Sequence, residues 1–390
     1  MPDSGLSADE FDMFRDQLNR YVRERLVPAE NDVIEVNRVP ADILDEMRDM
    51  GLFGITTPVE YGGAGMKVSQ YINTIKELSW AMPAYRSMIS INIGMLTSAL
   101  VKNGTEHQKQ EWLPRLARGE IGAFGLTEPD SGSDAAGLRT RARRDGDDYV
   151  INGTKRYITN APFATMALVM ARTSAENLPK NAHISAFLVP MDLKGVSVGS
   201  PDKKMGQSGS QVADIILDEV RVPSSALLGG KEGRGFIVAM QSLDNGRLSV
   251  AAAATGYAKR ILDTGLRFAL ERKAFGERIA NFQLIQAMLA DSRADIYAAE
   301  CMLNDAIRRA DDGETVSLEA ACVKMFASEM CGRVADRVVQ IHGGAGYMQE
   351  YDAERFFRDV RLYRIYEGTT QIQQLVIAKR MIREFEAFEQ

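Results

Sequence analysis

The sequence predicts an α+β protein in three parts: an N-terminal helical domain, a middle antiparallel β-barrel or sandwich, and a C-terminal four-helix bundle. Two patterns and the length carry this. Apolar residues recur at three- and four-residue spacing toward both ends. Short β-rich runs follow one another in the middle with no helix between them, which argues against a doubly wound parallel sheet. At 390 residues, the chain is long for a single core. The zones place the domains at residues 1–120, 121–230 and 231–390.

In the first zone, Ser7 precedes Ala8-Asp9-Glu10, an acidic helix start of the kind the helix dipole favours. Pro40–Met50 and Val68–Met82 continue the helical pattern. Between them, Pro58-Val59-Glu60-Tyr61-Gly62-Gly63-Ala64-Gly65 reads as a loop by its glycines. In the second zone the predicted strands are Gly122–Thr127, Tyr149–Asn152, Tyr157–Thr159, Ala167–Arg172, Ile184–Val189 and Ala213–Ile216. Asp145-Gly146-Asp147-Asp148 and Asn152-Gly153 read as hairpin turns. In the third zone, Phe282, Ile285, Leu289, Ile296, Ala299 and Leu303 form one helical stripe. Val323, Phe326, Met330, Val334, Val338 and Ile341 form the next. Such stripes mark helices packed lengthwise in a bundle.

Composition narrows the function. Lys and Arg total 47 against 53 for Asp and Glu, a net charge of −6. That balance gives no footprint for nucleic acid and no polybasic membrane anchor. The three cysteines include no CxxC pair, and the odd count argues for a reducing compartment. Three scattered histidines do not make a metal cluster, so no metal is expected. The acidic first residues are wrong for a targeting peptide, and no apolar run is long enough to span a membrane. The expected location is cytoplasmic.

Five motifs carry chemistry, and two glycine clusters do not. The glycine clusters at 62–65 and 229–235 are not GxGxxG and sit in no βαβ unit, which excludes a nicotinamide-binding fingerprint. Leu126-Thr127-Glu128-Pro129-Asp130-Ser131-Gly132-Ser133-Asp134 follows a strand end, where free backbone N–H groups suit a polar ring or phosphate. Tyr157-Ile158-Thr159-Asn160 pairs an aromatic with hydroxyls, which suits a planar ring cofactor. Glu271-Arg272-Lys273-Ala274-Phe275-Gly276 ends a helix at a glycine and sets cations beside an aromatic. Gln340-Ile341-His342-Gly343-Gly344-Ala345-Gly346-Tyr347 permits close backbone approach, with His342 read as structural. Tyr366-Glu367-Gly368-Thr369-Thr370-Gln371 precedes a last helix that Thr369 or Thr370 can cap. Glu367 lies between an aromatic and a glycine. In apolar surroundings such a carboxylate has a raised pKa and can act as a base near neutral pH.

Taken in this order, from Val59-Glu60-Tyr61-Gly62-Gly63 to Tyr366-Glu367-Gly368-Thr369, the motifs resemble those of the acyl-CoA dehydrogenase family. The resemblance implies an FAD-dependent homotetramer, a dimer of dimers, that oxidises an acyl-CoA and passes electrons to electron-transfer flavoprotein. Phe124, Leu126, Thr127 and Ser133 match the loop touching flavin and thioester. Tyr157, Ile158 and Thr159 match the family's Trp-Ile-Thr beside the flavin ring. Arg272, Phe275, Gln283, Gln340 and Gly344 match positions that reach the FAD of a neighbouring subunit. Thr369 and Gln371 match adenosine-diphosphate contacts. Asp244 and Arg247 match the CoA-side helix, and Tyr366 and Gly368 flank the substrate. Glu367 matches the catalytic base. Some members carry that base one residue before the arginine, which here is Gly246. The implied reaction gives the trans-2-enoyl-CoA: Glu367 takes the α-proton and the β-hydrogen leaves as hydride to flavin N5.

Ala84-Tyr85-Arg86-Ser87-Met88-Ile89-Ser90 resembles the glutaryl-CoA dehydrogenase segment whose arginine pairs with a distal carboxylate, although Ser79 stands where the accompanying glutamate would be. Arg86 is therefore expected either to anchor a dicarboxylic acyl group or to support the site from behind. A flavin oxidase or monooxygenase on the same scaffold is a competing class, disfavoured by Glu367 and by Asp244 with Arg247. A DNA-binding protein of this fold is disfavoured by charge. An acyl-carrier-protein thioester presents the same pantetheine arm as CoA.

Overall fold

The computed structural model describes residues 5–174 and 180–388, without the side chains of Lys180 and Asp244. Helix α1 (Ala8–Tyr21) opens on a capping box in which Ser7 and Glu10 satisfy each other's backbone N–H groups. Helices α2 (Glu30–Val36), α3 (Ala41–Asp49) and α4 (Val68–Leu78) follow. Helix α4 stops at Leu78, short of the expected Met82. Pro83 is the first residue of α5 (Pro83–Ser90) and holds Met82 extended, at ψ 151°. Helix α5 runs through wide turns at Ile91–Leu96 into α6 (Thr97–Asn103), and α7 (Glu106–Ala117) closes the segment.

The middle strands are β1 (Gly122–Gly125), β2 (Arg141–Asp145), β3 (Asp148–Thr159), β4 (Met166–Arg172), β5 (Ile184–Pro190), β6 (Val196–Val198) and β7 (Val212–Pro223). They form a seven-stranded sheet. The pairings are antiparallel except for β1 and the end of β2, which lie parallel to β4. The Asp145–Asp148 turn joins β2 to β3 as expected. Asn152-Gly153 is not a turn. It is a bulge inside β3, where the register to β7 shifts, and a Cβ at Gly153 would overlap Thr140. Two predicted strands are therefore one, with a second register shift between Lys155 and Ile158.

Helix α8 (Gly235–Glu271) ends at Glu271 rather than at Gly276. A short hairpin follows, β8 (Lys273–Ala274) and β9 (Glu277–Arg278), with Phe275 and Gly276 at its positive-φ turn. Helices α9 (Gln283–Asp311), α10 (Ser317–His342), α11 (Asp352–Val360) and α12 (Thr370–Phe388) complete the chain. Thr369 caps α12 by accepting the Ile372 N–H at 3.2 Å.

One continuous core joins the N-terminal helices to the bundle, with Leu18, Ile75 and Tyr85 meeting Ala254, Tyr257, Val334 and Phe356. Glu30 is buried between Arg260 and Arg355, an ionic tie from α2 to α8 and α11. The sheet has its own core around Ile151, Val169, Phe187 and Val220. Among the described residues no helix is long and apolar enough to cross a membrane.

Candidate active site

The Leu126–Asp134 loop and the end of β3 are neighbours in space. The Arg156 N–H donates to Thr127 O at 2.8 Å, and Lys155 Nζ reaches Leu126 O at 3.2 Å. Lys155 also pairs with Glu128 at 2.7 Å, and both side chains are buried. Glu128 further accepts the Thr140 N–H and hydroxyl at 2.9 and 2.6 Å. Four donors thus hold the loop in place. The Tyr157 ring, at the second bulge with φ 57°, is 60% exposed. Thr127, Thr159 and Phe124 are half-buried beside it in the chain, and Ser133 is exposed. The Ile158 side chain is buried in the sheet core, and the register shift turns Tyr157 outward instead.

The strand end leads to the second half of the site. Asn160 Nδ2 donates to Ser87 O at 2.9 Å, which ties β3 to α5. The preceding residue, Arg86, is buried. Its Nη1 donates to Tyr366 Oη at 3.2 Å and its Nη2 to Ser249 Oγ at 2.9 Å, while Nε is buried with no hydrogen-bond partner.

Glu367 stands at the centre. Its Oε2 is buried and unpartnered. Burial pushes its pKa up to about 7, against the pull of Arg86, Lys324 and Arg247. The raised pKa follows the expectation from sequence, but the surroundings are not wholly apolar. Three cations face the carboxylate, and desolvation still wins. A Cβ at Gly246 would overlap this carboxylate, so residues 246 and 367 address one point in space from α8 and from the loop before α12. Glu367 has φ 54° and Gly368 φ 87°. A left-handed residue bearing a Cβ costs about 1–2 kcal/mol, so the turn needs external support.

Arg247 is buried on α8 near Glu367, and Asp244 lies on the same helix with its side chain outside the described residues. The remaining predicted residues are elsewhere. Arg272, Phe275, Gln283, Gln340 and Gly344 are exposed at one end of the bundle, Phe275 by 98%. A small core of Ala269, Ile279 and Ile341 links the segments that carry them. Gln371 is exposed at the start of α12. His342 is structural, its ring stacked on Phe268 at 4.0 Å and bonded to Val338 O. Among the described residues there is no metal-binding cluster.

Models of the N-terminal, middle and C-terminal domains of acyl-CoA dehydrogenases match residues 8–120, 123–220 and 233–382. The chain belongs to the acyl-CoA dehydrogenase family. Members of this family are flavoprotein oxidoreductases. A probable acyl-CoA dehydrogenase of Bacillus subtilis is 42% identical over 375 residues, covering 96% of this chain and 98% of that protein. The caffeyl-CoA reductase–Etf complex subunit CarC of Acetobacterium woodii is 39% identical over 354 residues, 90% of this chain and 93% of its own. The butyryl-CoA dehydrogenase structure from Megasphaera elsdenii superposes with a TM-score of 0.92 at 33% identity, covering 97% and 100%. The three-part fold expected of an acyl-CoA dehydrogenase is thereby borne out.

Sequence reasoning missed Ser249, Lys324 and Gln373, all buried near Glu367. Lys324 left a readable trace. It is a charge on the apolar stripe that includes Ala320, Val323, Ala327 and Cys331.

Proposed function

We propose that the protein catalyses α,β-dehydrogenation of an acyl-CoA thioester to the trans-2-enoyl-CoA, with Glu367 as the α-proton base and electron-transfer flavoprotein as electron acceptor. The observation that carries this reading is the Glu367 carboxylate: half-buried, with its Oε2 buried and unpartnered and its pKa raised to about 7, so that it is both basic and free to accept a proton. FAD suits the surface between the locked Leu126–Asp134 loop and the outward Tyr157 ring. The chain leaves that aromatic face uncovered, with the Thr127 and Thr159 hydroxyls on the same two segments. Bound there, FAD supplies the acceptor for the β-hydrogen as hydride. The protein's own part is to bind the thioester along α8, with Arg247 and Asp244 on the CoA side, and to set its α-carbon at Glu367. Tyr366 and Gly368 border the acyl group. Glu367 then takes the proton, with Arg86, Arg247 and Lys324 offsetting the carboxylate charge before transfer.

The exposed Arg272, Phe275, Gln283, Gln340 and Gly344 are consistent with a homotetramer in which a second subunit covers them and shares its FAD. Thr369 and Gln371 would contact the adenosine diphosphate. The relative that is a subunit of an Etf complex supports electron-transfer flavoprotein as partner. Anaerobic bleaching of the flavin by a panel of acyl-CoAs tests the reading. Bleaching by none of butyryl-, isobutyryl-, octanoyl-, phenylpropionyl- or glutaryl-CoA would reject it.

A second reading, a dicarboxylic acyl group, is favoured by the buried, unpartnered Nε of Arg86 beside Tyr366 and Ser249. A distal carboxylate would supply the missing acceptor. Under this reading, Arg86→Ala slows bleaching by glutaryl-CoA about 100-fold more than bleaching by butyryl-CoA, the effect of losing one partner of a buried charged pair. Equal losses with both thioesters would leave Arg86 as a support for Glu367 and reject the anchor.

A further inference from the structure

We propose that Lys324 is a positioning residue for the base, holding, together with Gln373, the left-handed Glu367–Gly368 turn and placing a positive charge near the carboxylate. The inference rests on Glu367 being the base, and it concerns how that base is aimed.

Lys324 is fully buried on α10. An ammonium is costly to bury, and a methionine would fill the same stripe at no such cost. Among the described residues its Nζ forms no ion pair within 4 Å. It donates a 2.7 Å hydrogen bond to Gly368 O. From the other side, Gln373 Nε2 donates to Glu367 O and to Gly368 O, each at 3.0 Å, and Gln373 is also fully buried. Three donor contacts from two helices therefore converge on the two carbonyls of the turn. A free peptide would not keep a glutamate at φ 54°. These contacts supply the external hold the conformation needs, and they fix where the carboxylate points. A Cβ on Gly368 would overlap the Gln373 amide, so the packing leaves the turn little room for another shape.

The same ammonium acts through charge. The groups facing Glu367 are Arg86 of α5, Arg247 of α8, Lys324 of α10 and the phenols of Tyr71 and Tyr366. Burial brings the Lys324 pKa down to about 8, and Glu367 is the first of the neighbouring groups to oppose that. Lys324 in turn lowers Glu367. Loss of the lysine should therefore loosen the turn and make the carboxylate harder to ionise.

The test uses full-length, flavin-loaded wild type, Lys324→Met, Gln373→Leu and Glu367→Gln. Anaerobic stopped-flow bleaching from pH 5.5 to 9, by whichever acyl-CoA of the panel bleaches wild type fastest, gives the limiting rate, the apparent Kd and the midpoint of the acid limb. Thermal unfolding is recorded in parallel. Lys324→Met is expected to lower the limiting rate about 10- to 100-fold, the scale of a misplaced reacting group, with little change in Kd. It should also move the acid midpoint above that of wild type, because Lys324 opposes the rise in the Glu367 pKa. Gln373→Leu should lower the rate and leave the midpoint in place, because the amide carries no charge. A Lys324→Met protein with wild-type rate and midpoint overturns the proposal. So does one that loses rate and Kd together with no midpoint shift, which is the mark of a structural lysine. If Lys324→Met does not fold, an unchanged rate in Gln373→Leu overturns it and a reduced rate at unchanged Kd supports it. If no acyl-CoA of the panel bleaches wild type, or Glu367→Gln is bleached as fast, the base assignment fails, and that outcome is distinct from all of these.

Discussion

Replacing Glu367 with glutamine is expected to slow flavin bleaching by the best acyl-CoA by roughly 10³- to 10⁴-fold, the upper range for removal of a general base. Glutamine keeps the volume and the left-handed turn, so the change isolates the missing proton acceptor. Among the described residues no neighbour can replace it. Arg86 and Arg247 are cations, Lys324 is committed to Gly368 O, and position 246 has no side chain. Stopped-flow absorbance under anaerobic conditions measures the rate, and a titration of flavin absorbance measures thioester binding, which should persist. A variant within about tenfold of wild type would remove Glu367 from the chemistry.

Replacing Lys155 with methionine should produce the largest stability loss near the site, about 3–5 kcal/mol. That is the usual cost of leaving one member of a buried ion pair behind. The pair is dry, with side-chain exposures of 0% and 5%. Without the ammonium, Glu128 keeps its neutral donors from Arg139 and Thr140 but remains a buried charge with no counter-ion. The loop that Lys155 ties at Leu126 O would also loosen, so flavin retention should fall along with stability. Urea unfolding and the ratio of flavin to protein after gel filtration measure the two effects. The double variant Lys155→Met, Glu128→Leu should recover much of the stability, because a well-packed apolar pair can replace a buried ionic one. A loss below about 1 kcal/mol in the single variant would show that water reaches the pair.

Much of the fold was legible because it is local. The helix start at Ser7, the Asp145–Asp148 hairpin and the stripes of α9 and α10 all follow from short-range spacing. Long-range pairing was not legible. Strand β2 is Arg141–Asp145, mostly charged, and has no alternating apolar face to announce it. The parallel placement of β1 on β4 depends on residues some 40 positions apart. Within the site, the motifs found by resemblance include the loop at 127, the strand end at 157 and the turn at 367. What supports them was harder to see. Lys324, Gln373 and Ser249 sit inside ordinary helices, and only the folded chain brings them to Glu367 and Arg86.

The buried carboxylate also makes the fold proton-linked. In the unfolded chain Glu367 titrates near 4.5, and in the folded chain near 7. Because the folded pKa is the higher one, its contribution to stability is fully present below about pH 4.5 and is lost as pH rises through 7. At pH 8 the native state therefore forgoes up to about 3 kcal/mol that a neutral side chain would keep. Glu367→Gln should thus be the more stable protein at pH 8 and nearly equal to wild type at pH 4.5. Urea midpoints that do not separate between those two pH values would show that the folded carboxylate is not desolvated. The protein gives up stability at working pH to hold this one group ready for a proton.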